Sequence, residues 1–238
     1  MLFNKQASSS CMKGITMADF TVHQLEGTRY VEAHLNHESV RLEAGSLCYM
    51  TGDISVYSPV IPSMGGLITS VLADEAMHRP VYSGTGIITM ESSLGGFHVL
   101  QLNGESWILE RGAYWASEGS IKLSYHREPI MTAIWAGEGF IYLQTKVSGY
   151  GKVVVCTKGP TEIIQLEKGK KFVAEGRYVI CRTGDVSFKI KRLTKNYLGR
   201  YSSGEKLVRE YEGTGKILLN PGHYWRYSMK HREAIAGV

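Results

Sequence analysis

"LEKGKKFVAEG" at residues 166–176 repeats a frame met twice earlier in the chain, as "LEAGSLCYMTG" at 42–52 and "LERGAYWASEG" at 109–119. Each copy reads Leu-Glu-x-Gly and sets a second glycine seven residues after the first: Gly45 and Gly52, Gly112 and Gly119, Gly169 and Gly176. A glutamate stands four residues before each leucine (Glu38, Glu105, Glu162), so the full pattern is E-x3-L-E-x-G-x6-G. At ordinary residue frequencies the four-letter core is expected on the order of a hundredth of a time in a chain this long. Three copies therefore mark internal repetition, the signature of a fold built from like units.

The unit reads as a strand–turn–strand corner. Val40 and Leu42, Trp107 and Leu109, and Ile164 and Leu166 alternate with Arg41, Ile108 and Gln165, as along a half-buried strand. The x-Gly pair supplies a tight turn, because glycine takes a positive φ without steric cost. Six residues then form the next strand, and the second glycine is expected to end or bulge it. Alternation resumes beyond, at Ile54 and Val56, at Ile121, Leu123 and Tyr125, and at Val186, Phe188 and Ile190.

A second frame keeps step with the first. Gly-x-Gly followed by strand formers recurs as "GTGII" (Gly84, Gly86), "GYGKV" (Gly149, Gly151) and "GTGKI" (Gly213, Gly215), at spacings of 65 and 64 residues. It is expected to mark a turn before strands at 87–90, 152–157 and 216–219. The chain thus reads as one domain over 18–220, with three modules at 18–91, 92–157 and 158–220. An N-terminal extension (1–17) and a C-terminal tail (221–238) flank it. One stretch alone has helical period: in "SMGGLITSVLADEAM" apolar residues fall at 64, 67, 68, 71 and 72, which predicts a short helix near 64–76. Its polar face offers Asp74 and Glu75, which suits a cap over the end of a β core. The expected class is all-β and sandwich-like, built from pseudo-repeats of about 65 residues.

Composition agrees with a globular chain. Of 238 residues 43% are hydrophobic and 21% charged, enough to bury roughly 70% of the unfolded surface. The 27 glycines against 6 prolines suit many tight turns. Net charge is +5, and its densest cluster is "KIKRLTKNYLGR" at 189–200, with Lys189, Lys191, Arg192, Lys195 and Arg200. Such a patch is one requirement of nucleic-acid binding, and equally the solvated face of a strand and loop. Cys11, Cys48, Cys156 and Cys181 show no C-x-x-C pair, and "MLFNKQASSSCMKG" lacks an apolar signal region, so a cytoplasmic location is expected.

No familiar reactive pattern is present: neither G-x-S-x-G, H-E-x-x-H, Walker A nor C-x-x-C occurs. The Gly-x-Gly frames are half of a dinucleotide fingerprint and are followed by strands, not helices. His34 and His37 lie three apart and the other histidines are scattered. Glu38 and Glu43, five apart along a strand, fall on opposite faces, as do Glu105/Glu110 and Glu162/Glu167. Three equal copies suit a structural part, accepting backbone N–H groups or salt-bridging between modules. No catalytic, cofactor or metal residue is therefore assigned, and the chain is expected not to be an enzyme.

The segments "ESVRLEAGSLCYMTGDISV", "GGLITSVLADE", "NGESWILERGAYWASEGSIKL", "GEGFIYLQTKVSGYGKVVVCTKG", "TEIIQLEKGKKFVAEGRYVI" and "LVREYEGTGKILLN" resemble, in this order, the AIM24 family, also called DUF124. The resemblance implies an all-β fold of the tryptophan-attenuator-like (TRAP-like) class that tends to oligomerise, with no established enzymatic activity. It implies inner-membrane organisation for the mitochondrial relatives and no settled function for the bacterial ones. The chain departs from the family's glycine-rich loop before the helix, where only Gly65 and Gly66 stand, and from its closing G-P-G motif, here "GTGKILLNPG". The expectation is an oligomeric β scaffold or binding protein, a homo-oligomer with a trimer as the first count to consider. Single-stranded RNA binding over the 189–200 patch and peripheral membrane contact remain the alternatives.

Overall fold

The computed structural model describes residues 18–58, 79–128, 143–191 and 207–222. The extension 1–17, the helix expected near 64–76 and the tail beyond residue 222 lie outside them. The described residues form fourteen strands: β1 (Asp19–Leu25), β2 (Thr28–Leu42), β3 (Leu47–Tyr57), β4 (Val81–Met90), β5 (Phe97–Leu109), β6 (Tyr114–Glu118), β7 (Lys122–Arg127), β8 (Leu143–Cys156), β9 (Glu162–Leu166), β10 (Phe172–Ala174), β11 (Val179–Thr183), β12 (Val186–Lys191), β13 (Val208–Gly213) and β14 (Gly215–Leu219). One 3-10 turn, Gly176–Tyr178, precedes β11. The all-β class is the one read from the sequence.

Eleven strands share one sheet whose main path runs β3-β4-β2-β6-β8-β5-β11-β14-β9, with β1 added to β2 and β7 to β8. A three-stranded sheet, β10-β13-β12, stands beside it. Every pairing is antiparallel. In the first two regions the strand entering a Leu-Glu-x-Gly corner pairs with a strand that carries Gly-x-Gly, β2 with β4 and β5 with β8; in the third, β9 pairs with β14, which begins at the second glycine, Gly215.

The long strands are bent, and burial records the bend. In β2 the odd positions Val31, Ala33 and Leu35 are buried, and then the even positions Val40 and Leu42. The parity changes across an irregularity between Asn36 and Glu38, where His37 takes a left-handed φ of 59°. All five apolar residues nevertheless enter one core cluster. One inserted residue moves every later side chain to the other face, so an extra residue at the bend keeps one face apolar while the strand turns. Strand β5 does the same: Leu100 and Leu102 precede an irregularity between Asn103 and Ser106, and Trp107 and Leu109 follow it into the same cluster. A fully buried Leu or Val contributes about 2 kcal/mol, so a strand that lost its parity would forfeit most of its share of the core.

The Gly-x-Gly pairs sit opposite these bends, inside strands, rather than in the turns expected. Leu35 pairs with Gly86 and Glu38 with Gly84; Leu102 pairs with Gly151. Only Gly213 and Gly215 stand at an interruption, where the chain leaves β13 in the small sheet for β14 in the large one. A Cβ on Gly84 would lie 2.0 Å from the Asp53 carbonyl oxygen, and one on Gly86 2.1 Å from that of Thr51. These glycines admit the neighbouring backbone.

The two glycines of the corner frame have different causes. Gly45, Gly112 and Gly169 take φ of 80°, 72° and 83° in open space, so they serve turn geometry alone. The second glycines share no single role. Gly52 lies inside β3 opposite Gly86, Gly119 follows β6, and Gly176 opens the 3-10 turn. The residue that matches Gly119 in bonding is Gly184: Gly119 donates its N–H to Ser39 O, and Gly184 donates to Ser106 O, both at 2.8 Å. Glu43 N–H likewise donates to Trp115 O, and Glu110 N–H to Ile180 O. The stretch from β10 through the 3-10 turn is an insertion that displaces the sequence match at Gly176.

Gly45→Ala should cost about 1 kcal/mol, the penalty of a left-handed L-residue in open space. Gly84→Ala, whose Cβ meets a backbone oxygen, should cost about 3 kcal/mol. Urea unfolding of both variants checks this, and equal losses would contradict the division between turn and contact glycines.

Candidate functional site

Each corner glutamate binds a cation, and the surroundings decide what the pair does. Glu43 accepts from Arg79 Nε at 2.6 Å, and Arg79 is 5% exposed. The Arg79 guanidinium lies 4.1 Å from the Tyr114 ring centroid and donates to Thr145 Oγ1 at 3.1 Å. Burial pushes the Tyr114 phenol up to about 12, and its hydroxyl bonds Ser117 and the Arg41 carbonyl. Glu110 accepts from Arg209 of β13 at 2.6 Å, tying the β5–β6 corner to the small sheet. Glu167 holds Lys170 at 2.9 Å on an exposed surface. The upstream glutamates close the bulges instead: Glu38 accepts the Asn36 N–H at 3.3 Å and Glu105 the Asn103 N–H at 2.8 Å. Glu38 and Glu105 thus bind N–H groups, as expected of the repeated glutamates, and Glu110 reaches a cation far along the chain.

A cavity of about 390 Å³ opens where the second corner meets β11 and β13. Val179 and Ile180 give it apolar wall, the Glu110–Arg209 pair lies within it, and Arg111 and Lys158 line it as exposed cations. Glu175 and Arg177 add a second ion pair. Gly176 admits the Arg209 side chain: a Cβ there would lie 2.4 Å from Arg209 Nε. Burial raises the Glu110 carboxyl above its ordinary value although Arg209 opposes the shift. Arg182, ion-paired to Glu128, lies with its guanidinium 5.3 Å from the Phe188 ring, and Arg209 approaches the same ring to 4.7 Å.

Chemically these groups are restrained. Burial pushes the thiols of Cys156 and Cys181 up, which keeps them protonated and poor nucleophiles. The Glu110 carboxylate is engaged with Arg209. Among the described residues no cluster of three His, Cys, Asp or Glu could hold a metal ion, and no helix is long and apolar enough to cross a membrane.

Of the basic cluster, Lys189 and Lys191 lie on β12 and face β13, where Lys189 pairs with Glu212 at 3.4 Å and Lys191 with Glu210 at 2.5 Å. Lys171 joins both glutamates. Arg192, Lys195 and Arg200 lie outside the described residues. The sequence reading missed Arg79, Arg182 and Arg209, because a buried arginine is recognised by a partner far along the chain; Glu110 and Arg209 are 99 residues apart.

These features define an antiparallel β protein whose repeated motifs hold strand corners together. The chain belongs to the AIM24 family: the model described as "Mitochondrial biogenesis AIM24" matches residues 20–222. An uncharacterized protein of Streptococcus pyogenes serotype M6 is 23% identical over 211 residues, covering 84% of each chain. A crystal structure of a Streptococcus pyogenes protein superposes with a TM-score of 0.69 at 21% identity, over 91% of this chain and 99% of that one. That likeness shows a shared fold.

Removing Arg209 from the pair that joins corner to small sheet takes the ion-pair partner from Glu110, which keeps its bond with Gln144. Arg209→Met should therefore cost about 3 kcal/mol in urea unfolding, the low end for a broken buried pair, and Glu110→Gln/Arg209→Met clearly less than the single variant. A double variant no more stable than Arg209→Met would show that the pair itself is not what is lost. Lys191 and then Lys171 hold the Glu210 carboxyl down at about 2, from an ordinary 4.5. A depressed acid stabilises the fold above its unfolded value and loses that contribution as pH falls toward its folded one. The gap in urea midpoint between the native chain and Glu210→Gln should thus be full at pH 6 and shrink at pH 3. An unchanged gap would refute the linkage.

Proposed function

We propose that this chain is a non-enzymatic, self-associating β scaffold. The observation that carries the reading is β3, which among the described residues is an edge strand of the large sheet paired with β4 on one side. Ten of its eleven residues are exposed, among them Leu47, Tyr49, Met50, Val56 and Tyr57, the last at 69%. A long edge strand with apolar side chains and open backbone groups templates pairing with another chain, and monomeric proteins protect such edges with charge, proline or a cover. Strand β3 has one charged residue, Asp53, and no proline.

The non-enzymatic part is supported by the site chemistry: the buried acid is ion-paired and the cavity's thiol is held neutral. A binding role for the cavity at the second corner is compatible with a scaffold. Sedimentation velocity of the purified chain at micromolar concentration should show an assembly larger than one chain. A single species at the monomer mass across that range would sink the proposal.

A further inference from the structure

We infer that two copies pair antiparallel through β3, about a two-fold axis passing through Gly52. The inference rests on the self-association just proposed and names its contact. Gly52 is the middle residue of Leu47–Tyr57, with five residues on each side. A two-fold that makes two strands antiparallel stands perpendicular to their sheet and preserves its faces. Opposed residues must then share parity, so the axis falls on a residue, never between two.

With the axis at Gly52, the strand is complementary to its own reverse. Leu47 meets Tyr57 of the other copy, Cys48 meets Val56, and Met50 meets Ile54. Tyr49 meets Ser55, Thr51 meets Asp53, and Gly52 meets itself. One face of the joined ribbon, built from Cys48, Met50, Gly52, Ile54 and Val56, carries no charged or hydroxyl side chain. Ile54 packs against the core cluster of the first region, so the apolar face continues that core across the axis. Neighbouring axes fare worse. An axis at Asp53 opposes two like charges directly, which destabilises a pair. An axis at Thr51 sets Tyr49 against Asp53, Met50 against Gly52 and Leu47 against Ser55. Cross-strand apolar pairs are the unit of sheet stabilisation, and the Gly52 register makes the most of them.

The contact is closed and isologous, so it produces a dimer rather than the trimer considered from the sequence. It also covers the open edge of β3, the feature that a lone chain leaves exposed.

The test uses the full chain with Cys48→Ser, to which Thr51→Cys and Asp53→Cys are added singly and together. The double variant should give a covalent dimer on mild oxidation, because each new thiol faces its complement across the axis. The single variants, whose thiols sit diagonally, should give far less. In parallel, Met50→Lys should weaken self-association by roughly tenfold or more, as a lysine placed on an edge does. Its urea midpoint, read at concentrations where both chains are monomeric, should not move, since Met50 is exposed in the lone chain. A native chain that sediments as a monomer overturns both the scaffold reading and this contact. A native assembly that survives Met50→Lys, or a double variant that forms no reducible dimer, overturns the contact alone.

Discussion

The structure depends on one constraint: a long antiparallel strand must bend without losing its apolar face. Strands β2 and β5 meet it with an extra residue, which reverses which positions point to the core at the moment the strand changes direction. The opposing strands β4 and β8 place glycines there: Gly84 and Gly86 of β4 admit the backbone of β3 on its far side, and Gly151 of β8 leaves room for the Glu118 and Ser120 side chains. Bulge and glycine therefore recur together at both bends. Two of the core clusters draw residues from both arms of a bent strand, β2 in one and β5 in the other.

Around this device the corners are fastened by charge. In the first two copies the repeated glutamates divide the labour: Glu38 and Glu105 accept backbone N–H groups at the bulge, and Glu43 and Glu110 hold arginines. The two corner pairs with a buried cation use arginine, whose planar guanidinium can stack on an aromatic ring while it donates to carboxylate; Arg79 over Tyr114 and Arg209 near Phe188 do this. The exposed third corner makes do with Lys170. Where solvent can replace a partner, the identity of the cation matters little, which is why only two corners enlist residues from far along the chain.

Such an arrangement spends its polar groups on holding strands together. The glutamates that a search for paired carboxylates would single out are the ones most completely occupied by that task. Among the described residues β3 is an edge strand with five large apolar side chains exposed. The scaffold reading and the β3 contact both follow from that margin.

Much of this was legible from residue order. Leu-Glu-x-Gly announced three corners because a left-handed turn residue is a local demand, satisfied by glycine whatever surrounds it. The alternation at Val40 and Leu42, or at Trp107 and Leu109, announced strands because burial on one side of a strand has a period of two. Family membership followed from the same glycines and strands. The Gly-x-Gly pairs were misread as turns, since a glycine needed for close approach looks, in one dimension, like a glycine needed for positive φ. Gly176 was aligned with Gly119 for the same reason, although the hydrogen bond to a serine carbonyl belongs to Gly184. The partnership of Glu110 with Arg209, the shift of register at His37 and the bare edge of β3 had no local signature. Each depends on which strand lies alongside. The sequence by itself determined the local conformations, because sterics act between neighbours in the chain; the tertiary structure alone decided the partners, because pairing acts between residues that folding brings together from far apart.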